Sequence, residues 1–390
     1  MFDINKIKSH PDKLLVEHIK GVQRNVKLLT NSKLAELVAI FHDLGKINPN
    51  FQEKLIPNTN KGNAYANHAY LSAYVFFCVF AGSIENQKKL KCFLEWNKDI
   101  TKNDIIAICV LIAKHHGNLP DFKPVDYCGT GKTILSREEN ISLFDFINSI
   151  ELPFNNLVNT FIEVSNFTQF IQNQIVQKKY LDRFIFYEVE NRFPLDFFLD
   201  YQFAFASVIQ ADKADAANYD NFIERQQNDI SVFCNIFNTK LDVYLSNLNQ
   251  DSELNKLRTK IRKEAVINLR ENISEKRVFE LTAPTGSGKT LMLLSLASEI
   301  IKETGKKRIV YCLPFLSITE QVENEVLKIF KGQEAYIQRI DSKSENQRFE
   351  DLQIKLDNNP DEKTIDELSL LEFQENTFAY PFVIKTFVRF

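Results

Sequence analysis

The sequence predicts two domains of different class, an all-α domain followed by an incomplete parallel α/β lobe. Apolar residues recur at helical spacing up to about residue 235. A strand, a glycine-rich loop and a helix follow one another from residue 273. With 390 residues, the chain is also too long for one ordinary hydrophobic core. We therefore predict a first domain over 1–235, a helical connector over 236–272 and the α/β lobe over 273–390.

The composition is that of a soluble globular protein, with 44% hydrophobic and 25% charged residues. The net charge of −3 shows no overall basic excess, so nucleic-acid binding would need a local patch. The six cysteines form no Cys-x-x-Cys pair, which argues against a zinc ribbon or disulfide framework and for a reducing cytoplasm. No signal peptide is seen, and the most apolar run, Ala69 to Gly82, is shorter than the roughly 20 residues that span a bilayer. We expect a cytoplasmic protein without a membrane partner.

Histidines and aspartates fall on apolar helices throughout the first domain. The hydrophobic periodicity predicts helices over 12–29, 33–44, 69–81, 104–116 and 201–217. These helices carry the candidate ligands on an apolar stripe or at one end: His18, the pair His42 and Asp43, His68, the pair His115 and His116, and Asp212. Asp215, one turn beyond Asp212, is a competing candidate, and we interpret His10 as a surface residue.

Each of these residues alone has an ordinary explanation, as a satisfied core histidine or a solvated helix end. Together they bring imidazoles and carboxylates from five separate apolar helices. Mixed imidazole and carboxylate ligands with a shared carboxylate are typical of metal-dependent hydrolases. The group as a whole therefore indicates a metal site.

The second half of the sequence contains a phosphate-binding loop. Arg277–Thr282 alternates as a strand, Ala283–Thr290 forms the loop, and a helix continues from Leu291. The loop N–H groups and the helix N-terminus suit phosphates, with Lys289 reaching the β- and γ-phosphates and Thr290 binding Mg²⁺. The residues predicted to bind ATP are Thr285, Gly286, Ser287, Gly288, Lys289 and Thr290.

Three other segments are interpreted by their surroundings. Cys128–Thr133 shares the Gly-Lys-Thr ending but has no strand before it, so we predict an ordinary loop. The basic-acidic helix over 253–270 is interpreted as a solvated face. Its basic residues are Lys256, Arg258, Lys260, Arg262, Lys263 and Arg270. A buried strand over Arg308–Leu313 leads into Pro314–Ser317 and a helix to Ile329. In RecA-like motors the loop at this point touches the nucleic-acid backbone, and a plain turn is the alternative.

These motifs resemble a known family. The order of the histidines and aspartates resembles the HD phosphohydrolase superfamily. The runs Leu44-Gly45-Lys46, His115-His116-Gly117 and Ala211-Asp212-Lys213 are similar to the CRISPR-associated HD nuclease–helicase of type I interference systems. The phosphate-binding loop, Tyr311–Gln321 and Tyr380–Phe387 are similar to its superfamily-two helicase part. The resemblance implies an HD-type helical domain followed by a truncated RecA-like lobe.

The resemblance also implies a ligand set and a function. It implies that His18, His42, Asp43 and Asp212 hold one divalent metal. It implies that Asp43, His68, His115 and His116 hold a second, with Asp43 bridging and Lys46 facing the scissile phosphate. The metals would be Mn, Co, Ni or Fe, with Mg possible, and ATP with Mg would serve the helicase part. The implied activity is hydrolysis of single-stranded DNA in CRISPR antiviral defence, beside an RNA-guided effector complex.

The sequence departs from the family after Thr386, where no Asp-Glu box, second lobe or arginine finger follows. Because these parts support nucleotide hydrolysis, we expect the chain to bind ATP without hydrolysing it at a useful rate. A truncated record, a split gene and a natural fragment would give the same sequence. Two rival functions stay open, an HD phosphohydrolase of small nucleotides and an inactive remnant that docks on an effector complex.

Overall fold

The computed structural model divides the chain into two compact units, Met1–Ile223 and Glu224–Phe390. It describes residues 6–47, 49–56, 68–81, 83–117, 158–159, 162, 195–217, 221–341, 354 and 379–386. Cys128–Thr133 lies outside these residues. None of the helices described there has the length and apolar character to cross a membrane.

The first unit is helical and begins with a short antiparallel hairpin. Its elements are β1 (Lys8–His10), β2 (Lys13–Leu14), α1 (Leu15–Leu29), α2 (Lys33–Phe41), a 3-10 turn (Leu44–Ile47), α3 (Pro49–Lys54), α4 (Ala69–Ala81), α5 (Ile84–Leu94), α6 (Lys102–Lys114) and α7 (Leu195–Ala216). The predicted helices correspond to α1, α2, α4, α6 and α7. Helix α1 begins a few residues later than predicted because residues 13 and 14 pair with β1.

Side-chain caps mark where the helices of the first unit begin. The Ser32 hydroxyl accepts the Ala35 N–H at 3.2 Å, which starts α2. Helix α6 begins with a capping box, in which Thr101 and Asp104 each accept the other's backbone N–H. These local signals define where α2 and α6 begin.

The core of the first unit is built around α2. Every residue of this helix after Lys33 is buried, and it packs against α1, α7, α4 and α6. Phe41 at its end meets Phe76 and Phe80 of α4, with ring centroids 5.0 and 5.8 Å away. The residues that follow Phe41 therefore emerge in the middle of the unit.

The second unit is an α/β lobe with a small parallel sheet. Its elements are α8 (Phe222–Ser246), α9 (Glu253–Asn272), α10 (Lys289–Thr304), β3 (Ile309–Leu313), α11 (Leu316–Ile329), a 3-10 turn (Glu334–Tyr336), β4 (Ile337–Ile340) and β5 (Phe382–Thr386). Strand β5 lies at the centre, and β3 and β4 pair with it in parallel on either side. The predicted strand over 308–313 is thus present as β3.

An aromatic cluster forms the core of the second unit. Phe237 of α8 stacks on Phe330 at 4.9 Å, and Phe233 and Phe382 complete the cluster. Helix α8 therefore belongs to the second unit by its packing, and the predicted domain boundary at residue 235 falls inside this helix.

The predicted strand over Arg277–Thr282 is not formed. These residues have no regular structure, and Val278 is 88% exposed. A strand needs a partner for its backbone N–H and C=O groups, and the described residues provide none beside this segment. The alternation of the side chains was therefore insufficient evidence for a strand.

Candidate metal centre and phosphate-binding loop

Five helices deliver ionisable side chains to one place in the first unit, which is buried except at the exposed His116. His18 lies in the middle of α1, and Asp212 lies near the end of α7. His42 caps α2 and Asp43 follows it. The other three lie at helix ends: His68 just before α4, and His115 and His116 just after α6. The structure thus brings together all seven residues that the sequence indicated as ligands.

The Asp43 carboxylate lies at the centre of this group, and its two oxygens face different histidines. Oδ2 is 3.0 Å from His18 Nε2 and 3.5 Å from His42 Nε2. Oδ1 is 3.0 Å from His68 Nε2 and 3.5 Å from His115 Nε2. One carboxylate therefore lies between two pairs of imidazoles, as a bridging ligand would.

A further donor completes each side. Asp212 Oδ1 lies 3.2 Å from His18 Nε2 and 3.5 Å from His42 Nε2. His116 Nε2 lies 2.8 Å from His68 Nε2. Two groups of four donors result, each with its donor atoms within 4.8 Å of one another, and Asp43 belongs to both.

Hydrogen bonds on the far side of three rings set their tautomers. His42 Nδ1 donates to Ala39 O at 2.8 Å, and His115 Nδ1 donates to Ile112 O at 2.7 Å. His18 Nδ1 donates to Asp215 Oδ2 at 2.6 Å. In their neutral forms these imidazoles therefore carry the N–H at Nδ1, and Nε2, which faces Asp43, is the nitrogen available to a metal.

Several buried polar atoms at this place make no hydrogen bond among the described residues, although Lys46 Nζ forms an ion pair with one of them, Asp43 Oδ2. They are Nε2 of His18, His42 and His115, and both carboxylate oxygens of Asp43. Burying such atoms without partners is costly. A pair of divalent cations would satisfy all five, since imidazole nitrogen and carboxylate oxygen are ordinary ligands of such ions. The residues therefore fit a two-metal site.

The local charges favour the ligand forms of both carboxylates. Burial raises the pKa of Asp43, but His42, Lys46 and His68 outweigh it and hold the pKa well below its ordinary value. Burial also opposes ionisation of Asp212, and hydrogen bonds from His18 and His42 hold its pKa well below the ordinary value. Both groups are therefore carboxylates at neutral pH.

The pKa values of the histidines shift in opposite directions. Burial, together with His115 and His68, lowers the pKa of His116 to about 4, and burial lowers that of His68. Burial acts in the same direction on His18, but hydrogen bonds to Asp212, Asp215 and Asp43 raise its pKa to about 10. Excess negative charge around His18 would attract a metal cation as it attracts a proton.

The phosphate-binding loop lies in the second unit, where the sequence predicted it. Gly286 and Gly288 have φ values of +81° and +85°, which residues with a Cβ rarely adopt. Helix α10 begins directly after them at Lys289. The loop lines a cavity, and it ends at a helix N-terminus, where backbone N–H groups without helical partners suit an anion.

Comparisons with known families agree with both halves of the chain. Residues 13–146 match the family described as Cas3, HD domain. Residues 254–379 match the family described as type III restriction enzyme, res subunit, which is a helicase-type domain. The chain joins a Cas3 HD nuclease domain to a helicase-type domain. A search of curated proteins gives no significant match. The resemblance drawn from the motifs is confirmed.

Lys46 lies within the candidate metal centre. Its side chain is 6% exposed, its Nζ is 2.6 Å from Asp43 Oδ2, and it lies 5.4 Å from the centroid of the Phe51 ring. The structure therefore places Lys46 beside the shared carboxylate, and this contact contributes to the lowered pKa of Asp43.

The sequence did not indicate that two residues, His10 and Lys13, lie beside the candidate metal centre. His10 was interpreted as a surface residue, but its ring is half-buried and packs edge-on against His18 at 5.1 Å. Burial, followed by the charge of Lys46, lowers its pKa to about 4. Lys13, which the sequence did not single out, bonds Asp215 Oδ2 at 2.7 Å. Both residues come from the β1–β2 hairpin, whose fold onto α1 leaves no periodic signal.

Asp215 occupies a different position from Asp212. It contacts His18 Nδ1, the ring nitrogen that faces away from Asp43, and it belongs to neither group of four donors. The Asp215 carboxylate fits here because residue 21 is a glycine, and a Cβ on residue 21 would lie 1.8 Å from Asp215 Oδ1. Asp215 is thus placed to orient His18.

Proposed function

We propose that the chain hydrolyses single-stranded DNA in a metal-dependent reaction, as the nuclease of a CRISPR antiviral system. The observation that carries this proposal is the Asp43 carboxylate, buried between two sets of imidazoles whose Nε2 atoms face it. The match to the Cas3 HD domain supports the assignment of nuclease chemistry to this centre.

We propose that His18, His42, Asp43 and Asp212 hold one cation, and that Asp43, His68, His115 and His116 hold the other. Two bound divalent cations would supply an activated water and charge neutralisation at the leaving oxygen. The chain's own part is to hold Asp43 ionised and the Nε2 lone pairs directed inward. Lys46 adds a positive charge beside Asp43, and we propose that this charge attracts the phosphodiester.

The donor set favours transition metals. Five of the seven donors are imidazoles, which suit Mn²⁺, Co²⁺, Ni²⁺ or Fe²⁺ better than Mg²⁺, a cation that prefers oxygen ligands. Mg²⁺ remains a candidate for the second unit, where Lys289, Thr290 and the loop N–H groups would hold MgATP. The match to a helicase-type family supports nucleotide binding there.

The proposed partner is an RNA-guided effector complex in the cytoplasm. Such a complex displaces one DNA strand as the guide pairs with the other, and this strand is the proposed substrate. A buried centre that must surround a phosphodiester also suits a single strand better than a rigid duplex. The membership of the first unit in the Cas3 HD family supports this setting.

The test is DNA cleavage by the full chain loaded with Mn²⁺. We expect degradation of a single-stranded oligonucleotide, no cleavage of the matched duplex and no turnover of small nucleotides. Asp43→Ala should abolish cleavage, whereas Asp99→Ala, which removes an exposed carboxylate paired with Lys91, should not. Cleavage by Asp43→Ala at the wild-type rate would overturn the proposed centre, and preferential turnover of small nucleotides would overturn the proposed substrate.

A further inference from the structure

Helix α9 presents two arginines, one turn apart, to the phosphate-binding loop. Arg258 donates two hydrogen bonds to Gly286 O, from Nε at 2.9 Å and from Nη2 at 2.6 Å. It also bonds Asn255 Oδ1 at 3.1 Å. The guanidinium of Arg258 is therefore engaged in holding the loop backbone.

Arg262 differs from Arg258 in its contacts with the described residues. It is 8% exposed, and within the described part of the chain it makes neither a hydrogen bond nor an ion pair. Burial lowers its pKa. A guanidinium is charged at any ordinary pH, and a charge removed from most of its water without a counter-ion is destabilising. The interpretation of this helix as a solvated face is wrong for Arg262.

Arg262 lines the same cavity as the loop. This cavity has a volume of about 790 Å³, within the range of small-molecule sites. Among the described residues, its lining includes the cations Arg258, Arg262 and Lys289 and no carboxylate. The Ser287 hydroxyl is also buried there without a hydrogen-bond partner among the described residues. An uncompensated cationic cavity with free donors suits a polyanion.

Arg262 also borders a second cavity, on the side of Ser295 and Glu299 of α10. The carboxylates of this cavity are Asp242 and Glu299, which pair with Lys302 and Arg270, and no ion pair among the described residues joins either of them to Arg262. These two acidic groups therefore do not neutralise Arg262. The remaining direction is the loop, where an anion would find the N–H groups of the turn and the start of α10.

We infer that Arg262 binds the phosphates of the nucleotide held by the loop, so that α9 supplies a cation to the polyphosphate from within the same unit. A planar guanidinium matches phosphate with two parallel N–H donors, and a nucleobase would offer no charge to compensate it. The inference rests on the proposed binding of nucleotide by the second unit.

The test is equilibrium binding of AMP, ADP and ATP, each with Mg²⁺, to the full chain by calorimetry. Arg262→Gln should weaken ATP binding by about tenfold or more, as expected for a charge-assisted hydrogen bond. The loss should grow from AMP to ADP to ATP. Arg270→Gln is the matched control, because it removes one positive charge from the same helix outside the loop cavity, and it should leave all three affinities unchanged.

Arg262→Lys keeps the charge without the planar fork and serves if Arg262→Gln does not fold. It should bind ATP with intermediate affinity and AMP as the wild type does. Equal losses for AMP and ATP, or an unchanged ATP affinity in both variants, would overturn the inference while leaving nucleotide binding in place. Absence of ATP binding by the wild-type chain would overturn the proposed nucleotide function as well.

Discussion

Asp215 reaches the metal centre through the outer nitrogen of His18. Its Oδ2 accepts from His18 Nδ1 at 2.6 Å and from Lys13 Nζ at 2.7 Å. Carboxylates in this position orient a ligating imidazole and increase its basicity. Asp212, in contrast, lies on the inner side, 3.2 Å from His18 Nε2. The two aspartates of α7 should therefore respond differently to mutation.

We predict that Asp212→Ala loses one bound metal, whereas Asp215→Ala keeps both and binds one of them about 10-fold to 100-fold more weakly. The reason is that only Asp212 belongs to a group of four donors. A competition titration of Mn²⁺ against a fluorescent chelator, with metal counts at saturation, measures both effects. If Asp215→Ala loses a metal and Asp212→Ala does not, Asp215 is the ligand and the prediction is wrong.

Gly21 gives a second test of the same contact from the opposite helix. A Cβ at this position would lie 1.8 Å from Asp215 Oδ1 and would displace the carboxylate. We predict that Gly21→Ala weakens Mn²⁺ binding as Asp215→Ala does and lowers the free energy of unfolding by about 1–3 kcal/mol. Chelator competition and urea denaturation measure the two effects. Gly117→Ala, whose Cβ would meet only Lys114 O at 3.8 Å among the described residues, is the stability control.

At the scale of elements, the turn after α2 is joined to the start of α4. The Ser72 hydroxyl accepts the Gly45 N–H at 2.7 Å and donates to His68 O at 2.8 Å. A Cβ on Gly45 would lie 2.1 Å from His68 O, so the two segments are in close backbone contact. This contact holds His68 opposite Asp43.

We predict that Ser72→Ala lowers the free energy of unfolding by about 1–3 kcal/mol, because it leaves the buried Gly45 N–H without an acceptor. The variant should also weaken metal binding on the His68 side. Urea denaturation in chelator measures the first effect and Mn²⁺ titration the second. Ser83→Ala, which removes a helix cap on α5, should cost about 1 kcal/mol without changing metal affinity. Equal metal affinities in wild type and Ser72→Ala would contradict the positioning of His68 by this contact.

The helices and most of the candidate ligands could be predicted from the sequence because each helix carries its own periodic pattern. His18 and Asp212 were found as polar residues on apolar stripes, which needs no knowledge of neighbouring elements. Contacts between distant segments were not predictable in this way. The β1–β2 hairpin, which brings His10 and Lys13 to His18, leaves no periodic signal, and nothing in the local sequence indicates that Gly45 packs against the backbone of His68. The strand predicted over 277–282 is not formed, because a strand needs a partner to pair with and the local alternation of side chains does not show whether one is present.

At the scale of the molecule, the two chemistries belong to separate units. All seven candidate metal ligands lie in the first unit, and the phosphate-binding loop with Arg258 and Arg262 lies in the second. Each unit also has its own hydrophobic core. Metal binding and nucleotide binding can therefore be measured separately in the intact chain.

The central claim is that one buried carboxylate, Asp43, is shared by two metal ions. Its most direct test is the number of Mn²⁺ ions per folded, tag-free chain, counted by native mass spectrometry. We predict two ions in the wild type, one in Asp212→Ala, one in His116→Ala and none in Asp43→Ala at the same Mn²⁺ concentration. Folding of each variant is checked by circular dichroism. A wild-type chain that saturates with one ion, or an Asp43→Ala chain that still holds two, would contradict the claim.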